Sequence, residues 1–123
     1  MTAIRTVTID CADARVVGRF WAAALGWPLE VEPDGSEALL SNPEAGPNML
    51  FQQVPEPKQV KNRVHLDLQP SERTRDEEVD RLRSEGATLV ADRRNPDGTG
   101  WVVMADPEGN EFCVERSVAE RQG

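Results

Sequence analysis

Residues 29–54 read LEVEPDGSEALLSNPEAGPNMLFQQV, and residues 88–116 read TLVADRRNPDGTGWVVMADPEGNEFCVER. The two stretches carry the same signals in the same order. Pro33-Asp34-Gly35 recurs as Pro96-Asp97-Gly98, and Asn42-Pro43-Glu44 recurs as Asp106-Pro107-Glu108. Asn48 precedes a strand-like run, as does Asn110, and upstream Gly26 closes a helical pattern, as does Gly86. The offsets lie between 60 and 64 residues, about half of the 123-residue chain. A single turn dipeptide recurs by chance, but an ordered set at nearly constant offset describes a repeat. The repeat predicts two modules, about 4–55 and about 63–116, joined by a linker over 55–62 and followed by a polar tail over 117–123 that is expected to fray. Two prolines in three residues, Pro55 and Pro57, make that linker stiff and extended.

Each module reads as strand, helix and then three strands. The first strand of module one, Arg5 to Cys11, alternates: Val7, Ile9 and Cys11 share one face, and Thr6, Thr8 and Asp10 share the other. The first strand of module two, Arg63 to Leu68, puts Val64, Leu66 and Leu68 on one face and His65 and Asp67 on the opposite one. The apolar faces are expected to lie under the helices that follow. The first helix is predicted from about Asp13, its N-cap, to Leu25, with Val17, Trp21, Ala24 and Leu25 as its apolar stripe. Gly26 suits the left-handed position after it, and Pro28 prevents continuation. The second helix is predicted from about Ser71 to Glu85, where Thr74 and Glu77 fit a capping box, with Ser71 as the alternative cap, and Val79, Leu82 and Gly86 lie on one side. The remaining strands are predicted at Leu29–Glu32, Glu37–Ser41 and Met49–Val54, and at Thr88–Asp92, Trp101–Ala105 and Glu111–Arg116. The predicted fold class is α+β: two βαβββ modules in tandem forming a curved mixed sheet, a cup with helices on the outside.

Composition narrows the function. The chain has 14 Lys+Arg against 22 Asp+Glu, a net charge of −8. That balance speaks against nucleic acid, because no basic surface offsets phosphate repulsion. No apolar run approaches the ~20 residues of a membrane span, and the first residues lack a signal-peptide apolar core. The expected compartment is the cytoplasm. The two cysteines, Cys11 and Cys113, lack CxxC spacing and are expected to be reduced. The expected partners are a small organic molecule and a second copy of the chain in a homodimer, with no membrane and no nucleic acid.

The ordered segments resemble those of the vicinal oxygen chelate superfamily, which includes glyoxalase I, extradiol dioxygenases, fosfomycin resistance proteins and bleomycin-binding proteins. The resemblance rests on Ile9-Asp10-Cys11-Ala12-Asp13, on Phe20-Trp21-Ala22-Ala23-Ala24-Leu25-Gly26-Trp27, on Val60 through Leu68, and on Asp106-Pro107-Glu108-Gly109-Asn110-Glu111-Phe112. The first three look especially like the bacterial glyoxalase-like branch. The resemblance runs from about Arg5 to Arg116, and implies a ligand held in the cup.

Metal-using members carry a divalent ion there, and the resemblance carries its four ligand positions onto this chain. They fall on Thr6, His65, Phe51 (with Gln52 and Gln53 beside it) and Cys113. Only His65 keeps the usual chemistry, so the expectation is no metal and no other cofactor. Two exceptions are open: a strand bulge that turns Glu111 or Glu115 inward, and a soft ion held by His65 and Cys113. The expected cup lining is Thr6, Thr8, Asp10, Phe51, His65, Asp67, Trp101 and Cys113. His65, beside Asp67, is the candidate catalytic group: such a pair can bind an anionic oxygen or shuttle a proton. Phe51 is expected to make the pocket apolar, and Trp101 either to stack on a planar ligand at the rim or to enter the core. Cys113 reads first as a small apolar filler. The leading expectation is a glyoxalase-like protein that binds a small molecule without the usual divalent metal; if it catalyses, the reaction is of lyase or isomerase type. Two alternatives stand beside it. One is a metal-dependent lyase, isomerase or dioxygenase with a shifted ligand set. The other is drug sequestration of the bleomycin-binding type, where the acidic balance favours a cationic ligand.

Overall fold

A computed structural model describes residues 1–122. It divides the chain into two compact units, one ending at Gln59 and one beginning at Val60. The boundary falls within the Pro-rich segment predicted as the linker.

In the first unit, β1 (Thr6–Cys11) leads to α1 (Ala14–Leu25) and then to β2 (Leu29–Val31), β3 (Glu37–Leu40) and β4 (Asn48–Gln53). The sheet order is β1-β4-β3-β2. β1 runs parallel to β4, while β3 is antiparallel to β2 and β4. In the second unit, β5 (Leu66–Leu68) precedes α2 (Arg75–Ser84), β6 (Thr88–Asp92), β7 (Val102–Ala105), β8 (Glu111–Val114) and α3 (Val118–Gln122). Its sheet order, β5-β8-β7-β6, repeats that of the first, with β5 parallel to β8. The strand–helix–three-strand reading of both modules therefore holds.

Each helix begins and ends for identifiable reasons. Asp13 is extended and its carboxylate accepts from the backbone N–H groups of Arg15 and Val16, so two donors of the first turn of α1 that lack a helical partner are satisfied. Gly26, at φ 71°, takes the left-handed position that closes α1. The face of α1 against the sheet is Ala14, Val17, Gly18 and Trp21, all buried; Ala24 and Leu25 are only half-buried, and Phe20, also buried, was not in the predicted stripe. Gly18 allows the close approach. A Cβ there would stand 2.8 Å from the Ala38 Cβ of β3. For α2, Thr74 and Glu77 form the expected capping box. Val79 and Leu82 face the core as predicted, but Gly86 is exposed, and Arg75 and Glu78 are buried beside them.

Three expectations need correction. The first strand of module two is half its predicted length: Val64 is 74% exposed, His65 lies one residue before β5, and only Leu66–Leu68 joins the sheet. Trp101 precedes β7 rather than starting it, and is 48% exposed, so it is not core. The tail does not fray over its described residues. Ser117 and Glu120 cap each other: the Ser117 Oγ accepts from the Glu120 N–H, and Glu120 Oε1 accepts from the Ser117 N–H, both at 2.9 Å. The same carboxylate oxygen also accepts from the N–H of Arg75 at 2.7 Å, so α3 is tied to the first turn of α2. The Ser-x-x-Glu spacing carries this box. Gly123 lies outside the described residues. Among the described residues, no helix is long and apolar enough to cross a membrane.

Candidate functional site

The register of each sheet decides which side chains share its open face, the one opposite its helix. In the second unit Asp67 of β5 stands opposite Cys113 of β8, and Cys113 stands opposite Val103 of β7. Paired residues share a face, so these three make one row across the sheet. The helix side of the same strands is lined by Phe112, Val114, Val102 and Met104, all fully or almost fully buried.

His65 completes the cluster from the chain just before β5. Its Nδ1 lies 3.9 Å from the Asp67 carboxylate and 3.9 Å from the Cys113 sulfur. The imidazole and the carboxylate are both about half exposed, whereas Cys113 is buried. Burial pushes the Cys113 thiol up from 9.0 to about 11, and the negative charge of Asp67 and its hydrogen bond to the thiol push in the same direction, with Glu111 and Glu115 adding to them. The sulfur is therefore a neutral thiol near pH 7, and not a nucleophile.

A cavity of about 580 Å³ opens beside this cluster, bounded by Val60, Lys61, Asn62, Arg63 and His65. The linker residues that form it are anchored to the start of β8. The Lys61 ammonium meets the Glu111 carboxylate at 2.5 Å, and the Asn62 side-chain oxygen accepts from the Glu111 N–H at 3.1 Å. Glu111 is thus engaged by the linker. β8 keeps regular register with β7 from Glu111 to Val114 and with β5 from Phe112 to Val114, with no bulge that would exchange Glu111 for Cys113. Reading 55–62 as a spacer missed this wall. The signal available was Lys61-Asn62-Arg63, separated from His65 only by Val64, polar residues in a segment that leads into the first strand of module two.

In the first unit the open face carries Thr6, Thr8 and Asp10, as expected from alternation, with Leu50 and Gln52 in register beside Thr8 and Asp10. Phe51 is not among them. It is fully buried on the α1 side, where its ring stacks on Trp21 at 6.5 Å and approaches Gly18. The reason is a one-residue error of correspondence. Ile9 pairs with Phe51 and Leu66 with Phe112, so the two fully buried phenylalanines are the equivalent pair. Cys113 then matches Gln52, one residue from Phe51, whereas His65 matches Thr8 rather than Thr6, a shift of two residues that keeps the same face. In a strand, a slip of one residue moves a side chain to the other face.

The Glyoxalase-like domain family matches residues 6–115, nearly the whole chain. The chain belongs to this glyoxalase-like family. It lies within the vicinal oxygen chelate superfamily, and solved structures agree on the fold. A fosfomycin resistance protein from Listeria monocytogenes, in a mutant form complexed with Mn(II) and 1S,2S-dihydroxypropylphosphonic acid, is 15% identical with a TM-score of 0.74, over 100% of this chain and 99% of its own. A glyoxalase/bleomycin resistance protein/dioxygenase family enzyme from Burkholderia phytofirmans PsJN is 19% identical, TM-score 0.68, over 92% and 97%. A glyoxalase-related enzyme from Fulvimarina pelagi is 17% identical, TM-score 0.68, over 93% and 87%. At these identities the likeness is one of fold. No curated protein matches the sequence.

His65, Asp67 and Cys113 bring one donor atom each within 4.8 Å of one another. For a hard ion such as Mn²⁺ or Mg²⁺ the set fits poorly: sulfur is a soft donor, which leaves one imidazole and one carboxylate to suit a hard ion. A thiolate would suit only a thiophilic ion such as Zn²⁺.

Proposed function

We propose that this glyoxalase-like domain binds a small organic molecule at the open face of its second sheet, without a hard divalent ion. The observation that supports the reading best is the row Asp67–Cys113 with His65 Nδ1 beside both: a thiol stands where a hard ion would need an oxygen or nitrogen donor. In this reading Asp67 and Cys113 bound the ligand, Trp101 offers an exposed indole to it, and His65 is the group that hydrogen-bonds or exchanges a proton with it. Thr6, Thr8 and Asp10 give the first sheet a polar open face of its own.

The test is a thermal melt of chelator-treated protein with Mg²⁺, Mn²⁺, Ni²⁺ and Zn²⁺ added separately, beside His65→Ala. An ion that binds only the folded state and is present at 100 times its Kd adds about 2.7 kcal/mol. For a domain of this size that raises Tm by roughly ten degrees. The expected result is no rise with Mg²⁺, Mn²⁺ or Ni²⁺. The second reading is a metal-dependent enzyme with a thiophilic site on His65, Asp67 and Cys113, which their proximity favours. A rise with Zn²⁺ that disappears in His65→Ala would replace the metal-free reading with that one.

A further inference from the structure

The molecule is acidic as a whole, with a net charge of −8. The cavity beside His65 is not. Its charged walls are Lys61 and Arg63, with the His65 ring beside them and no carboxylate among the residues that bound it. Lys61 is already matched by Glu111, and His65 has Asp67 near its Nδ1. Arg63 differs: among the described residues it makes no hydrogen bond or ion pair. One residue bounding the cavity thus carries a guanidinium without a counter-charge. The fifth wall, Val60, is 76% exposed and apolar.

We infer that this cavity takes a small organic carboxylate, with Arg63 as its charge anchor. This rests on the proposal that a small molecule binds beside His65, and names its chemical class. The physical argument has three parts. A guanidinium presents a planar fork of donors that matches a carboxylate in two parallel hydrogen bonds, which is stronger and more selective than a point charge. The apolar body of the ligand has Val60 to cover. The ring of His65 directs Nδ1 toward Asp67 and Cys113, so Nε2 is the nitrogen left to meet the ligand. The segment needs little ordering on binding, because Asn62 and Lys61 already fix it to Glu111. An aromatic or branched monocarboxylate is the class that uses all of these features. The cationic ligand expected from total charge would meet the wrong sign here.

The chain has a single histidine, so its imidazole resonances report on this site alone. Benzoate and its neutral isostere benzamide would be titrated into full-length protein while the ¹H–¹⁵N signals of His65 are followed, in wild type, Arg63→Gln and Arg63→Lys. Benzoate is expected to shift the signals saturably and to bind at least about tenfold more tightly than benzamide. Arg63→Gln should remove that preference and leave the weak benzamide binding unchanged, and Arg63→Lys should restore only part of it. Equal affinity for both probes, or an unchanged preference in Arg63→Gln, would overturn the carboxylate assignment while leaving small-molecule binding at His65 standing. No shift with either probe would overturn the site itself, and the assignment with it.

Discussion

At the scale of single residues, Cys113 states the character of the site. It occupies the middle of a strand row, buried, next to a carboxylate. Both burial and charge disfavour its thiolate. The folded chain therefore holds the thiol proton more tightly than the unfolded one. The stability this contributes is fully present below pH 9 and is lost as pH rises from about 9 to about 11. Asp67→Asn removes the charge but not the burial, so the thiol should fall part of the way back toward 9.0. Alkylation of Cys113 by iodoacetamide at pH 8, followed by peptide mass spectrometry to separate it from Cys11, should be slow in the wild type. It should be several-fold faster in Asp67→Asn, yet slower than for an ordinary exposed thiol. An unchanged rate would show that Asp67 does not act on the sulfur. Phe51 teaches the complementary lesson. Its neighbours Gln52 and Leu50 share the open face, and Phe51 itself is core, because its strand pairs Phe51 with Ile9 and Ala38 on the α1 side.

At the scale of elements, α1 sits close on its sheet because position 18 has no side chain. Gly18→Val would force methyl groups into the space held by the Ala38 Cβ and the Leu29 side chain, at 2.8 and 3.3 Å from the first added carbon. Overpacking of this kind costs about 1–3 kcal/mol. The helix-propensity gain over glycine is only a few tenths of a kcal/mol. A net loss of stability is expected, seen as a lower urea midpoint at unchanged slope; an unchanged midpoint would mean that α1 can lift from the sheet at little cost. The second unit uses a different device. Arg75, buried at the start of α2, donates to the carbonyls of Gly98 and Gly100 at 2.7 and 2.9 Å and so holds the loop that leads to Trp101. Gly100, at φ 93°, is required there, since a Cβ would fall 2.2 Å from the Arg93 carbonyl oxygen. The Pro96-Asp97-Gly98 signal marked the turn, but not the arginine 21 residues earlier that fixes its geometry.

At the scale of the whole molecule, charge acts in opposite senses at long and short range. A polyanion meets the net charge of −8, whereas a small carboxylate in the cavity would meet Arg63 at close range. Duplex DNA is therefore expected to leave the His65 resonances unchanged at 50 mM salt, a concentration that favours even weak phosphate contacts. A saturable shift with DNA would show that Lys61 and Arg63 outweigh the rest of the surface. The repeat made the architecture legible, because each module carries its own periodicities, caps and turns, and these are local in sequence. Strand–helix–three-strand order, the Asp13 and Thr74 caps, the Gly26 stop and the two faces of β1 all follow from side chains a few residues apart. The site was legible only in part. His65, Asp67 and Cys113 were named from alternation and family resemblance. The start of β5 at Leu66, the buried side of Phe51 and the cavity wall at Lys61–Arg63 depend on which strand pairs with which, and in what register. Those pairings join residues some 40 to 50 positions apart. A shift of one residue in them exchanges core for open face while leaving every local preference satisfied, so only the tertiary structure decides them.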